Sequence, residues 1–219
     1  MSLHKVTMFG GLKFKFIGFA NYYKVLVNDK FWDAFFVSIR FTIESTFLTI
    51  MLGLGSMILA FSYPFMKRIT YWPQLFLGLT FNWGIIMAWT AINNNVSYEI
   101  IILYISAIFW TLGYDTIYGV QDMTDDEIIG VRSTSIKFKK NIKLFVGTSY
   151  FLTSLILIYL FKDMLKINFF TGLLLLFILS LIYQIKKFNK NKPEDCLSAF
   201  KFNNISGLIL FLSISSINL

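Results

Sequence analysis

Apolar residues in this chain come as long, almost unbroken runs, with polar residues gathered in the gaps between them. The first run extends from about Phe41 to Phe61, with Glu44 near its start. Others follow at about 73–92, 98–120, 144–161, 168–185 and 203–218. A helix needs about 20 residues to cross a hydrocarbon core of about 30 Å. Each run is near that length, the last two somewhat short. The pattern predicts an all-α, polytopic membrane helical bundle of about six transmembrane helices. A further segment, 31–40, is too charged to count as a seventh. After the first run, Tyr63-Pro64-Phe65-Met66-Lys67-Arg68 predicts a break at the proline that ends in two cations. Residues 1–41 are aromatic, basic and poorly periodic.

Composition agrees with the runs. The chain is 56% hydrophobic and only 15% charged, where soluble domains carry about 25% charged residues. A net charge of +8 would point to nucleic acid in a soluble protein. Here the cations sit between apolar runs, where they set topology against a lipid bilayer, so a nucleic-acid partner is not expected. One cysteine excludes an intramolecular disulfide, and one histidine, His4, leaves a zinc site almost without ligands. Cys196 reads as a small loop residue. The start does not read as a cleavable signal peptide, and no linker, repeat or second soluble domain stands out.

The gaps also orient the chain. Those after the first, third and fifth runs hold Lys67 and Arg68, then Arg132, Lys137, Lys139, Lys140 and Lys143, then Lys186, Lys187, Lys190, Lys192 and Lys201. Those after the second and fourth hold only Lys162 and Lys166. The expected result is an integral membrane protein, of a bacterial inner (plasma) membrane, with the cation-rich side cytoplasmic. By alternation the N-terminal segment lies outside, despite Lys5, Lys13, Lys15, Lys24, Lys30 and Arg40.

On that cytoplasmic side the third run leads into Tyr114-Asp115-Thr116-Ile117-Tyr118-Gly119-Val120-Gln121-Asp122-Met123-Thr124-Asp125-Asp126. On one continuous helix, positions 115, 118, 122, 125 and 126 stack along one face. Acid at membrane depth costs roughly 2.5–3.5 kcal/mol per residue on insertion scales, so it usually faces a polar cavity and acts there. A carboxylate ladder opening from a helix end toward water is a candidate oxygen cage for Mg²⁺. Asp122, Asp125 and Asp126 also read as ordinary solvated acids, a reading that is weaker for the deeper Asp115 and Tyr118. Lys67, Arg68 and Arg132 share this side and are candidates to pair with an anion, or serve as topology anchors. Asn82, within the second run, is either a pocket group or a helix–helix hydrogen bonder.

Several of these stretches resemble the UbiA superfamily of membrane prenyltransferases, and within it the 4-hydroxybenzoate polyprenyltransferases. They are Tyr63-Pro64-Phe65-Met66-Lys67-Arg68 with Pro73-Gln74, then Gly78 and Trp83-Gly84. Asp115 to Asp122 is similar to the family's second Asp motif, D-x-x-Y-x-x-x-D, and Ile129-Gly130-Val131-Arg132-Ser133-Thr134-Ser135 to its continuation. Ala199-Phe200-Lys201-Phe202-Asn203-Asn204 with Gly207 is similar to the entry to the last helix. The resemblance runs over about 56–218.

The resemblance implies a Mg²⁺-dependent transfer of a polyprenyl group from prenyl diphosphate to a small aromatic acid, 4-hydroxybenzoate, in ubiquinone biosynthesis. It makes Asp115, Tyr118 and Asp122 catalytic, with Asp115, Asp122, Asp125 and Asp126 as metal ligands. Lys67, Arg68, Asn82 and Arg132 become substrate-binding, and Phe76, Phe81, Trp83, Phe109 and Trp110 candidates for an isoprenoid tunnel. The family's first motif, N-D-x-x-D-x-x-x-D, is not found: Asn28-Asp29-Lys30-Phe31-Trp32-Asp33 has its opening pair but Trp32 in place of the next acid. The fold is therefore expected to be incomplete relative to the UbiA type, with self-association or a partner as the source of missing helices. Phe16-Ile17-Gly18-Phe19-Ala20-Asn21-Tyr22 and the segment to Thr42 resemble a sugar-type ABC transporter permease instead. That divides the chain into a permease-like 1–55, ending in a first span, and a prenyltransferase-like 56–219. The alternatives are a catalytically inactive membrane remnant or fusion, and a permease fragment.

Overall fold

The computed structural model describes residues 4–7, 13–16 and 18–218, which group into two units, Met1–Leu48 and Thr49–Leu219. The first unit opens on an antiparallel hairpin, β1 (His4–Thr7) and β2 (Lys13–Phe16), with His4 opposite Phe16 and Thr7 opposite Lys13. Four-residue strands offer too little alternation to be read from sequence, and none was expected here. Helix α1 (Ala20–Leu26) follows, tied back to the hairpin by Asn21 Nδ2 donating to the His4 carbonyl at 3.3 Å. Helix α2 (Asp29–Ile69) begins in this unit. Its first turns are set by Trp32 Nε1 donating to the Leu26 carbonyl at 2.6 Å. The rings of Phe31, Trp32, Phe35 and Phe36 pack together, mostly edge to face, with centroids 5.4–6.0 Å apart. The charged segment 31–40 is thus the start of the first long helix.

At its other end α2 runs through Pro64 to Ile69, so the expected break there does not occur. Proline removes one backbone donor and bends a helix. Continued helix keeps the remaining backbone groups paired.

From Thr49 onward, the second unit is helical. The second apolar run forms two helices, α3 (Pro73–Phe81) and α4 (Trp83–Asn93), which meet at Asn82. Then come α5 (Tyr98–Tyr118), α6 (Met123–Ile129), the single turn α7 (Thr134–Lys137), α8 (Ile142–Leu160), α9 (Phe169–Lys187) and α10 (Pro193–Ser215). Among the described residues, six helical stretches are long and apolar enough to cross a membrane, as the runs predict. Caps place their ends. Ser97 Oγ accepts from the Ile100 amide at 3.4 Å to start α5, and Asn168 Oδ1 from the Thr171 amide at 2.9 Å to start α9. Helix α10 starts at Pro193, about ten residues before its apolar run. Proline at the first position and Glu194 and Asp195 in the first turn favour a start there. Cys196 is consequently not a loop residue; it is buried in α10 and its Sγ donates to the Asn189 carbonyl at 3.3 Å.

Helix α5 is the hub, packing on α3, α4, α8 and α10. Between helices in lipid, close packing and hydrogen bonds replace the hydrophobic drive. Gly113 supplies the closest approach: any Cβ there would collide with the Tyr150 ring of α8. Ile117, Val146, Tyr150, Phe177 and Leu181 fill the main core beside it, and Ile86, Tyr104 and Ile108 a smaller one against α3 and α4.

Candidate active site

Helix α5 stops at Tyr118, with Gly119 as its C-cap, and α6 begins after a short turn with Asp122 as N-cap. The single continuous ladder over 115–126 is therefore replaced by helix, turn and helix. Glycine is a poor helix former, and Gly119 stands where α5 ends. Its Cα faces Ser135 Oγ and Gln74 Nε2, which a Cβ would meet at 2.7 and 3.3 Å, so a side chain there would press on both.

The turn nonetheless folds the acids back together. Asp115, Tyr118, Asp122 and Asp126 line one cavity of about 50 Å³, with Tyr63 and Lys67 of α2, Pro73 and Gln74 of α3, and Gly119. Tyr63 and Lys67 are one turn apart on α2, so both reach the same place. The Tyr118 ring packs on Phe200 of α10, 4.8 Å between centroids.

A buried polar frame holds these elements in register. Thr116 and Thr134 share a hydroxyl–hydroxyl hydrogen bond of 2.7 Å, Ser135 Oγ donates to the Thr116 carbonyl at 2.9 Å, and the Thr134 amide donates to Gln74 Oε1 at 3.0 Å. Arg132 ties the same loop to α2. Its amide donates to the Lys67 carbonyl at 2.7 Å, its Nη1 to the Ile69 carbonyl at 2.8 Å, and its guanidinium lies 5.3 Å from the centroid of the Tyr71 ring.

The expected site residues thus separate. Asp115, Tyr118, Asp122, Asp126 and Lys67 converge; Asp125, Arg68, Asn82 and Arg132 are not among the lining residues. Asp125 sits exposed in the first turn of α6, and Arg68 is exposed at the end of α2. Asn82 Nδ2 donates to the Gly78 and Ala107 carbonyls and to Thr111 Oγ1, at 2.9, 3.3 and 2.8 Å, which joins the α3–α4 break to α5. Sequence reasoning missed Tyr63 and Gln74. The four-residue spacing of Tyr63 and Lys67 was a signal for the first; Gln74, a lone amide opening an apolar run, was a fainter one for the second.

Carboxylate oxygens suit a hard divalent cation, and Asp115, Asp122 and Asp126 present them on one wall. Among the described residues, however, no three Asp, Glu, His or Cys side chains are gathered tightly enough to hold a metal by themselves. Mg²⁺ commonly takes one or two carboxylates and completes its shell with water and substrate phosphates. The donor set fits that mode of binding and not an all-protein cage.

These features define an integral membrane protein of six apolar helical spans with an acid- and lysine-lined cavity at one end of the α5 hub. The chain belongs to the UbiA prenyltransferase family, whose profile matches residues 34–206. It is 41% identical over 170 residues to a mitochondrial 4-hydroxybenzoate polyprenyltransferase of Bos taurus, covering 77% of this chain and 46% of that protein. It is 38% identical over 180 residues to a 4-hydroxybenzoate octaprenyltransferase of Serratia proteamaculans, covering 82% and 62%. The chain therefore spans about half to three-fifths of the length of these curated relatives. A solved apo structure of a UbiA homolog from Aeropyrum pernix K1 shares the fold, with a TM-score of 0.63 at 20% identity over 77% of this chain and 64% of that one. The family match begins at residue 34, inside the segment that resembled a permease, and nothing in these comparisons supports the permease resemblance.

Proposed function

We propose that this chain carries one acidic wall of a polyprenyl transfer site, moving a polyprenyl group from prenyl diphosphate to an aromatic acceptor of the 4-hydroxybenzoate kind, in ubiquinone biosynthesis. The observation that carries this reading is the meeting of Asp115, Asp122 and Asp126 with Lys67 in one cavity. The relatives' names supply the substrate classes. In the reaction, the allylic carbon–oxygen bond breaks with its electron pair leaving on the diphosphate. The allylic carbon then bonds to the ring carbon ortho to the phenol oxygen, and that ring carbon loses its proton.

One or two of Asp115, Asp122 and Asp126 would hold Mg²⁺, with water and diphosphate oxygens completing its shell, and the ion when bound would supply charge neutralisation for the leaving diphosphate. Lys67 adds a positive charge beside it, and Arg132 fixes Lys67 by gripping the end of α2. Tyr118, set against Phe200 and lining the cavity, would offer an aromatic ring to the electron-poor allylic carbon. The cation-rich gaps support placing this end of the bundle on the cytoplasmic side.

A second reading is a non-catalytic membrane protein that keeps the fold. The observation favouring it is that no three metal-binding side chains are gathered among the described residues. A turnover assay separates the two. Membrane-embedded protein is given 4-hydroxybenzoate, labelled prenyl diphosphate and Mg²⁺, alone and beside an Asp115→Ala variant. Labelled product that disappears in the variant is the expected result. Folded wild-type protein that yields none, at any Mg²⁺ concentration, overturns the enzymatic reading.

A further inference from the structure

Gln74 is only 5% exposed, yet it lines the acid cavity. Its neighbours fix which way its amide points. The Thr134 backbone amide, which can only donate, lies 3.0 Å from one end of the Gln74 side chain, so that end is the oxygen. The –NH₂ end is therefore turned the other way, against Gly119, where a Cβ would come within 3.3 Å of Nε2. Gly119 itself lines the cavity. Among the described residues no protein acceptor takes the Gln74 N–H groups, and Nε2 is not one of the fully buried atoms left without a partner, as suits a donor on a cavity wall.

Every other hydrogen-bonding side chain on the cavity wall is a carboxylate, a phenol or the Lys67 ammonium. The acids attract cations. Lys67, the Tyr63 and Tyr118 hydroxyls and the Gln74 –NH₂ can all donate to an anionic oxygen, and the amide is the one whose direction a backbone hydrogen bond sets in advance.

We infer that Gln74 is a pre-aimed neutral donor that binds a phosphoryl oxygen in this cavity, which Lys67 also lines. This rests on the proposed reading of the cavity as a diphosphate site, and adds a residue to it. The Thr134–Gln74 contact then has a function: the loop after α6 aims the donor. It also gives a reason for glycine at 119, since any side chain there would press on the –NH₂ group.

The test uses inorganic pyrophosphate with Mg²⁺ as probe, binding measured by calorimetry on the full chain in nanodiscs, for wild type, Gln74→Glu and Gln74→Met. Glutamate keeps an oxygen for the Thr134 amide and puts a second oxygen where the donor stood. Methionine removes the donor without adding charge. Hydrogen bonds to charged groups are strong enough that about tenfold weaker binding is expected for Gln74→Met, and a larger loss for Gln74→Glu. Thermal melts within a few degrees of wild type show that the fold is kept. If wild type binds and both variants bind equally well, the inference fails and the cavity reading stands. If only Gln74→Glu weakens, added charge is the cause and the donor role fails. If wild type itself binds no pyrophosphate, the diphosphate reading and this inference fall together.

Discussion

Gln184 and Gln74 are both buried glutamines in an apolar bundle, and they are wired differently. Gln184 on α9 is 0% exposed, and both ends of its amide are used. Oε1 accepts from the Tyr150 hydroxyl of α8 at 2.6 Å, and Nε2 donates to Ser206 Oγ of α10 at 2.9 Å. Ser206 Oγ also accepts from Ser180 Oγ at 2.8 Å. The network closes on itself and links three helices. Gln74 spends its oxygen on Thr134 and leaves its donors facing a cavity. Depth alone therefore does not mark a functional polar group in this chain. An unclosed hydrogen-bond valence beside an opening does.

The largest effect on stability is expected where the closed network is opened. Gln184→Leu strips a partner from Tyr150 and from Ser206 at once, both deeply buried. In membranes such bonds are worth about 0.6–2 kcal/mol each, and stranded polar groups cost about 1–3 kcal/mol. A loss of about 2 kcal/mol in unfolding free energy is expected, read by denaturation in detergent. Adding Tyr150→Phe and Ser206→Ala should restore part of it, because fully apolar replacement removes the stranded groups. Pyrophosphate binding by the remaining folded protein should be unchanged. If binding falls as well, the two regions are coupled and the contrast between them breaks.

The six spans were legible because hydrocarbon demands long apolar runs, and such runs are visible one residue at a time. Their ends were less so. Pro64 read as a break because proline usually is one, whereas α2 carries it within a continuous helix at the loss of one backbone donor. The start of α10 at Pro193 was hidden because its first turns are polar, and Cys196 was misread with it. In the site, Asp115, Tyr118, Asp122 and Asp126 could be proposed together from spacing, although by way of a continuous helix that does not exist. Tyr63, Lys67 and Gln74 reach the cavity from α2 and α3, from 41 to 52 positions before Asp115 in the numbering. Lys67 was proposed because it shares a side with the acids, whereas Tyr63 and Gln74 carried only the faint local signals of a four-residue spacing and a lone amide. The role of Arg132 as a tie between the loop and the end of α2 was likewise invisible, since it is made of backbone carbonyls.

A smaller effect should follow from Gly119→Ala, which acts on the open side of the comparison. The backbone at 119 is right-handed helical, with φ −66°, so alanine is conformationally acceptable there. What it meets is Ser135 Oγ at 2.7 Å and Gln74 Nε2 at 3.3 Å. Overpacking of this size costs about 1 kcal/mol. Stability should fall less than in Gln184→Leu, while pyrophosphate binding falls more, because the group displaced is the one facing the cavity. Calorimetry and a melt on the same sample read both. The opposite ordering would mean that Gly119 serves packing and not the site.

The smallest effect is expected at the surface of α6. Lys139 Nζ lies 2.7 Å from Glu127 Oε2, an ion pair linking α6 to the segment before α8, with the two side chains 50% and 37% exposed. Exposed pairs of this kind contribute about 0–1 kcal/mol and weaken with salt. Glu127→Gln should therefore shift stability by less than about 0.5 kcal/mol, and the shift should vanish in 1 M salt. The measurement decides what places Asp122 and Asp126. Their helix is also held by the Val131 amide donating to the Asp126 carbonyl at 3.0 Å and by the tie from Arg132 to Lys67. If those bonds suffice, Mg²⁺–pyrophosphate binding by Glu127→Gln matches wild type at every ionic strength. A drop of tenfold or more would instead make the position of the two acids depend on a solvent-screened contact. The open half of the molecule would then be adjustable where the Gln184 half is locked.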